Sequence, residues 1–222
     1  RPDLEGLTNG MSLQAVLAEV DPGWFARTGE SLDPRLLASA RRSRLGSRLL
    51  ARMLLEAGAA DALLAPRPGG ATPTAILRWP RAKLDRLVRD LGVLAYAPLI
   101  RAEVRREPVR RIKKALGGSY LLALDPTIWD ARVDRHVHDR LRGEWDALFA
   151  QLAGQPEDDA PLFAVLERQG RAELRRWAAE RDRPLGEWVA LQHPPEELVR
   201  GHLPEKPVLL LATHHETRRE AA

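Results

Sequence analysis

Residues 78–114 read RWPRAKLDRLVRDLGVLAYAPLIRAEVRREPVRRIKK, and this stretch decides the fold. Leu84, Leu87, Val88, Leu91 and Leu94 recur at three- and four-residue steps with Arg and Lys between them, the signature of an amphipathic helix. Pro80 is placed to open that helix. Pro98 and Pro108 then divide the rest into short helices, because a proline lacks the amide donor and crowds the preceding turn. Gly117 and Gly118 end the group. The stretch holds twelve Lys/Arg and four Asp/Glu, so it carries +8 in a chain of net charge +4, and the remainder sums to −4. Basic charge gathered on one helical region points to a negatively charged partner: an acidic protein surface, a nucleic acid or an anionic membrane.

Outward from this segment, nearly every periodic stretch reads as helix. Ala, Leu, Arg and Glu dominate and β-branched alternation is nearly absent. Residues 1–11 form a loose lead-in. A short helix from Ser12 to about Val20 turns Leu13, Val16 and Leu17 to one side, Asp21-Pro22-Gly23 breaks it, and Trp24-Phe25 anchors a turn. Asp33-Pro34 pairs an N-cap with a proline at the first helical position, opening a helix to about Ala57, with Leu36, Leu37, Leu45, Leu49, Met53 and Leu54 expected as its apolar face and Gly58 as its stop. Residues 65–73 (APRPGGATP) are the clearest loop. Asp125-Pro126 repeats the cap signal and predicts the longest helix, to about Ala153, with a stripe of Trp129, Val133, Val137, Leu141, Trp145, Leu148 and Leu152. Residues 154–159 are a polar loop, and helices are expected over 161–181, 184–191 and 195–202. The tail from Pro207 holds one apolar run, VLLLA, read as a lone strand, a docked segment or disordered chain.

The expected fold is therefore mainly α: an irregular multi-helix bundle with a short C-terminal strand or extended tail. Its organisation divides into an N-terminal helical subdomain (1–65), a loop or hinge (66–75), a main helical domain (76–206) and a C-terminal tail (207–222).

Composition bounds the function classes. Cysteine is absent from all 222 residues, which excludes disulfides and thiolate metal sites. The longest apolar runs are about five residues, such as 93–97 and 208–212, far short of the ~20 a membrane span needs. The opening RPDLEGLTNG is no charged-then-apolar secretion signal, and since it starts at Arg1 rather than Met the native N-terminus is not counted as present. His136 and His138 resemble a metal pair, but on a helix residues two apart point about 200° apart and cannot share one ion. They read as exposed polar residues, as do His214 and His215 in the charged tail. No P-loop, dinucleotide fingerprint or nucleophile elbow occurs, and Gly69-Gly70 lacks a following Lys-Ser/Thr, so neither enzyme nor cofactor nor metal is expected. Of six tryptophans, Trp79, Trp129, Trp145, Trp177 and Trp188 fit apolar positions and read as core, whereas Trp24 is the least constrained and could anchor a partner. The basic residues expected to dock a partner are Arg101, Arg105, Arg106, Arg110, Arg111, Lys113 and Lys114. Ile100, Val104, Val109, Ile112 and Leu116 are expected to face the core beneath them.

The pattern from Leu77 to Leu122 resembles the SctK (YscK-like) family of type III secretion systems. The resemblance rests on Leu77-x-x-Pro80-Arg81, on Leu91-Gly92, on the apolar run to Pro98-Leu99-Ile100-Arg101, and on Val104, Val109 and Ala115-Leu116-Gly117. It covers about a fifth of the chain; Trp24 and the Leu-rich helix upstream, with the overall length, resemble the family as well. The resemblance implies a mainly helical, non-catalytic cytoplasmic adaptor of the sorting platform, peripherally associated with the inner-membrane secretion complex. Such an adaptor would link the cytoplasmic domain of the ring protein SctD to the pod protein SctQ, and indirectly to SctL and the ATPase SctN, with no small-molecule substrate. The alternative is a nucleic-acid-binding helical protein that sets residues 78–114 against phosphates.

Overall fold

The structure is a computed structural model, and it describes residues 13–26, 32–59, 79, 81–153, 158–181, 183–197 and 199–217. The lead-in and the loop or hinge expected over 66–75 lie outside the described residues. Helices run over Leu13–Glu19 (α1), Pro34–Arg42 (α2), Arg44–Glu56 (α3), Arg81–Ala95 (α4), Ala97–Ala102 (α5) and Arg106–Leu116 (α6). Tyr120–Leu124 (α7), Arg135–Leu152 (α8), Ala160–Arg181 (α9), Arg183–Leu191 (α10) and Glu205–Thr217 (α11) complete them. Among the described residues there is no strand, so the protein is mainly α. Contacts group residues 1–81 with 177–198 into one compact unit and residues 82–176 with 199–222 into a second. These units do not follow chain order, since 177–198 joins the N-terminal segment rather than the stretch it follows.

In the first unit, Asp33 caps α2 as its sequence suggests: the carboxylate accepts from the amides of Arg35 and Leu36 at 2.8 and 3.0 Å. The single helix expected to run on to Ala57 is instead broken at Ser43, which is extended (φ −93, ψ 143). The Ser43 hydroxyl accepts from the Gly46 amide at 2.9 Å, so it starts a new helix. A Cβ on Gly46 would lie 2.4 Å from the carbonyl oxygen of Ala40, so only glycine lets the α2–α3 corner close. Gly58 stops α3 with φ 83, the left-handed conformation glycine adopts without strain. Val16, Leu17, Phe25, Leu37, Leu50 and Leu54 are buried in this unit. Each such side chain contributes about 1.5–3 kcal/mol by leaving water.

In the second unit, α4 and α9 cross with their backbones touching. A Cβ on Gly92 would stand 1.9 Å from the carbonyl oxygen of Leu166, and one on Gly170 would stand 1.8 Å from that of Val88. Leu84, Leu87, Val88, Leu91 and Leu94, the stripe read from sequence, are all buried. Tyr96 stacks on Trp145 at 5.4 Å between ring centroids, and Trp145 meets Phe149 at 5.0 Å.

Three expectations are corrected here. The helix expected to open at Asp125-Pro126 begins only at Arg135, and α9, at 22 residues, is longer than the 18-residue α8. The Asp125 carboxylate instead accepts from the amide and hydroxyl of Thr127 at 2.8 and 2.7 Å, a local turn that competes with helix. Ala131 then takes φ 61, and Trp129 is buried from an irregular segment rather than from a helical stripe. The helix expected over 195–202 does not form among the described residues; they are irregular, and the His202 amide at the end of the segment donates to a buried carboxylate described below. Over its described residues the tail is neither strand nor extended chain. Residues 205–217 are helical, and Val208, Leu211 and Ala212 are buried.

Candidate docking surface

Helix α6 divides its basic residues between inside and outside. Ile112 and Leu116 are buried beneath it, and Arg106, Arg110, Lys113 and Lys114 are exposed. This is the periodicity of the sequence carried into three dimensions: residues three and four apart share a face. Glu107, in the first turn, is the acidic residue of the helix, and Lys113 and Lys114 occupy the last turn, where cations complement the helix dipole. Val104, 89% exposed, precedes the helix instead of facing the core, and Leu121 on α7 is 64% exposed. Lys113 lies over the Tyr120 ring, 5.4 Å from its centroid.

The other basic residues of the expected surface serve the protein itself. Arg101 donates to the carbonyl oxygens of Ala123, Asp125 and Trp129, at 2.5, 3.3 and 2.8 Å. It thereby satisfies backbone acceptors in the irregular stretch before α8, where no helix ladder does so. Arg111 donates to the Asp159 carboxylate at 2.8 Å and to the carbonyl oxygens of Leu152 and Asp158 at 2.9 and 2.5 Å. It closes α6 onto the end of α8 and the start of α9. Arg105 clamps Glu103 with two guanidinium bonds, at 2.8 and 2.6 Å, and holds that carboxyl down to about 2. Trp24, in the first unit, donates its indole N–H to the carbonyl oxygens of Ala190 and His193 at 3.2 and 2.8 Å, and is half-buried. Trp79, Trp129, Trp145, Trp177 and Trp188 are buried.

Sequence reasoning missed the buried polar groups of the second unit. Glu173 on α9 accepts from the amides of His202 and Leu203 at 2.7 and 2.8 Å, and from the Gln169 side chain at 2.7 Å. Burial pushes its carboxyl above the usual range against those bonds. The His202 ring sits with Nε2 3.2 Å from the carbonyl oxygen of Ala95, which can only accept, so that nitrogen carries the proton. Its Nδ1 is then free to accept from the Gln169 side-chain amide at 3.4 Å, and it lies 3.1 Å from the Glu173 carboxyl. Burial, with the Arg140 and Arg176 charges, lowers the imidazole to about 4. Arg140 extends the chain of bonds to Glu144 at 2.9 Å and Gln169 at 3.2 Å, and the Tyr96 hydroxyl closes on Glu144, its ionisation pushed up by burial and by that carboxylate. His215, expected to be exposed, is buried on α11 with Nε2 2.8 Å from Asp90 Oδ2; only its neighbour His214 is exposed. Apart from the one-turn pairs Gln169–Glu173 and Arg140–Glu144, these pairings join residues 29 to 125 apart in sequence, so no local pattern announces them.

His136 is exposed and His138 half-buried on α8, where its Nδ1 stands 3.8 Å from Asp139. Among the described residues no three His, Cys, Asp or Glu are grouped to hold a metal ion, and no helix is long and apolar enough to cross a membrane. Compared with known proteins, the chain matches no family model, no curated protein and no solved structure.

Proposed function

We propose that the chain is a non-catalytic adaptor of a type III secretion sorting platform. In this reading it links the cytoplasmic domain of an SctD-like inner-membrane ring protein to an SctQ-like pod protein, and through it to SctL and the SctN ATPase. The observation that carries the reading is the outer edge of α6: Arg106, Arg110, Lys113 and Lys114 stand exposed on a helix whose Ile112 and Leu116 are buried and whose Val109 is half-buried. Arg101, Arg111 and Trp24 drop out of the docking set because their polar atoms are held within the chain, whereas Arg105 pairs with Glu103 yet keeps an exposed side chain. The exposed Val104 and Leu121 add apolar area that a protein partner can cover. An acidic partner gains orientation from the forked guanidinium groups as well as attraction. The resemblance in residues 77–122 supplies the identity of the partners.

The test is co-purification of the chain with SctD-like and SctQ-like proteins from the same genome, at low and high salt. Recovery of either, weakened by Arg106→Glu with Arg110→Glu and Lys114→Glu in a variant that melts normally, supports the reading. Recovery of neither overturns it. Salt-steep binding of duplex DNA through the same residues would favour the nucleic-acid alternative.

A further inference from the structure

The first unit carries a second basic surface of different composition. Residues 33–56 contain six Arg against two carboxylates, so this quarter of the unit's sequence holds an excess of four positive charges. Both carboxylates are engaged: Asp33 caps α2, and Glu56 pairs with Arg52 at 2.8 Å. On α3 the buried stripe is Ser47, Leu50, Ala51 and Leu54. The opposite stripe is Leu45, Arg48, Leu49 and Arg52, all exposed, at steps of three, one and three residues. Leu45 is 81% exposed and Leu49 58%, one helical turn apart and interleaved with guanidinium groups. Leu36 on α2 is 59% exposed. Leucine at these positions is unfavourable in water and does nothing for the core, which Leu37, Leu50 and Leu54 already fill.

We infer that the α3 face binds the surface of an anionic lipid bilayer, with Leu45 and Leu49 entering the headgroup boundary and the arginines beside them contacting lipid phosphates. Charge selects this occupant, since an anionic leaflet attracts each Lys or Arg held near it, and guanidinium groups match phosphate geometry. Area argues against a stable protein partner. Among the described residues the large exposed apolar side chains of this unit are three leucines with no aromatic, whereas a standard protein interface covers about 800 Å² per partner and centres on aromatic anchors. Shallow insertion of two leucines beside several arginines suits reversible attachment, which needs little apolar area when charge assists it. The inference stands on the first unit alone and does not depend on what docks to α6.

The experiment is co-sedimentation of the full chain with phosphatidylcholine vesicles and with vesicles that also contain phosphatidylglycerol. Binding is expected only to the anionic vesicles and is expected to fall as salt rises. Leu45→Gln with Leu49→Gln keeps good helix formers at exposed positions, and Arg42→Glu with Arg52→Glu reverses charge there; each pair is expected to lower anionic-vesicle binding about tenfold or more. The chain has no cysteine, so Leu49→Cys gives a single site for an environment-sensitive fluorophore, whose emission is expected to shift blue on anionic vesicles. That label reads insertion even should either double variant fold poorly. Absence of anionic-vesicle binding, equal binding to neutral vesicles, binding insensitive to the Leu45 and Leu49 pair in a folded variant, or an unshifted label would each overturn the inference.

Discussion

The two compact units handle charge in opposite ways. In the first, polar groups act in small separate sets: Trp24 on two carbonyls, Arg41 on the carbonyl of Val20, and the Asp21 carboxylate between the Gly23 amide and Arg81. In the second, Arg140, Glu144, Gln169, Glu173 and His202 form one connected chain that runs from half-buried Arg140 and Glu144 to the buried side chains of Gln169, Glu173 and His202. Their basic helices differ as well. The outward stripe of α3 alternates leucine with arginine, whereas that of α6 is Arg106, Arg110, Lys113 and Lys114, with Ile112 and Leu116 turned inward. Basic composition alone therefore does not define a partner; the apolar residues sharing the face decide what a charged surface can hold.

The comparison breaks most completely at the α4–α9 crossing. Gly92→Ala drives a Cβ into the carbonyl of Leu166 and is expected to cost about 3–5 kcal/mol, since backbone on both sides cannot yield. Urea unfolding measures it. Gly46→Ala, which meets Ala40 at the α2–α3 corner, is expected to disturb the first unit in the same way and to abolish the α3 surface. Equal stability of the two variants and the parent would mean that neither corner is as close as described.

Within α6, Arg111→Ala is expected to cost about 2–3 kcal/mol, because it removes a shielded ion pair and leaves the carbonyls of Leu152 and Asp158 short of a donor. Arg110→Ala, one residue away and exposed, is expected to stay within about 0.5 kcal/mol. Thermal and urea unfolding of the pair distinguish an arginine that holds the fold from one that faces outward.

Acid separates the units next. The folded protein holds His202 near 4, below its ordinary 6.5, so between those values the unfolded chain binds the extra proton and folding loses stability as pH falls from about 6.5 to about 4. Glu173 acts in the opposite sense, because its raised carboxyl is more readily protonated in the folded state. His202→Gln cannot titrate and is expected to flatten the loss over that window. A parent and variant with parallel stability profiles from pH 7 to about 4 would show that His202 is not held neutral by burial.

The smallest expected effect on stability comes from charge reversal on the α6 edge. Arg106→Glu with Arg110→Glu and Lys114→Glu is expected to leave unfolding within about 0.5 kcal/mol per site, while slowing association with an acidic partner and reducing its salt dependence. Rate measurements at two ionic strengths read it directly.

What the sequence determined by itself was local. The three- and four-residue spacing of Leu84, Leu87, Val88, Leu91 and Leu94 specified a buried helical face, and Asp33-Pro34 specified where α2 begins, because periodicity and capping act within one or two turns. The split of α6 into buried Ile112 and Leu116 beneath exposed Arg106, Arg110, Lys113 and Lys114 was legible for the same reason. Tertiary structure decided everything that depends on partners distant in the chain. Residues 125–134 carry a helix-start signal, yet the segment is irregular, and Arg101 supplies donors from another helix to its Asp125 and Trp129 carbonyls. The VLLLA run became helix, and His215 became a core residue, because α11 finds Asp90 on α4. Arg101, Arg111 and Trp24 read as surface groups in sequence and are bound within the chain in the structure. An exposed and an internally paired arginine have the same local pattern, and only the acceptor brought alongside by the fold distinguishes them.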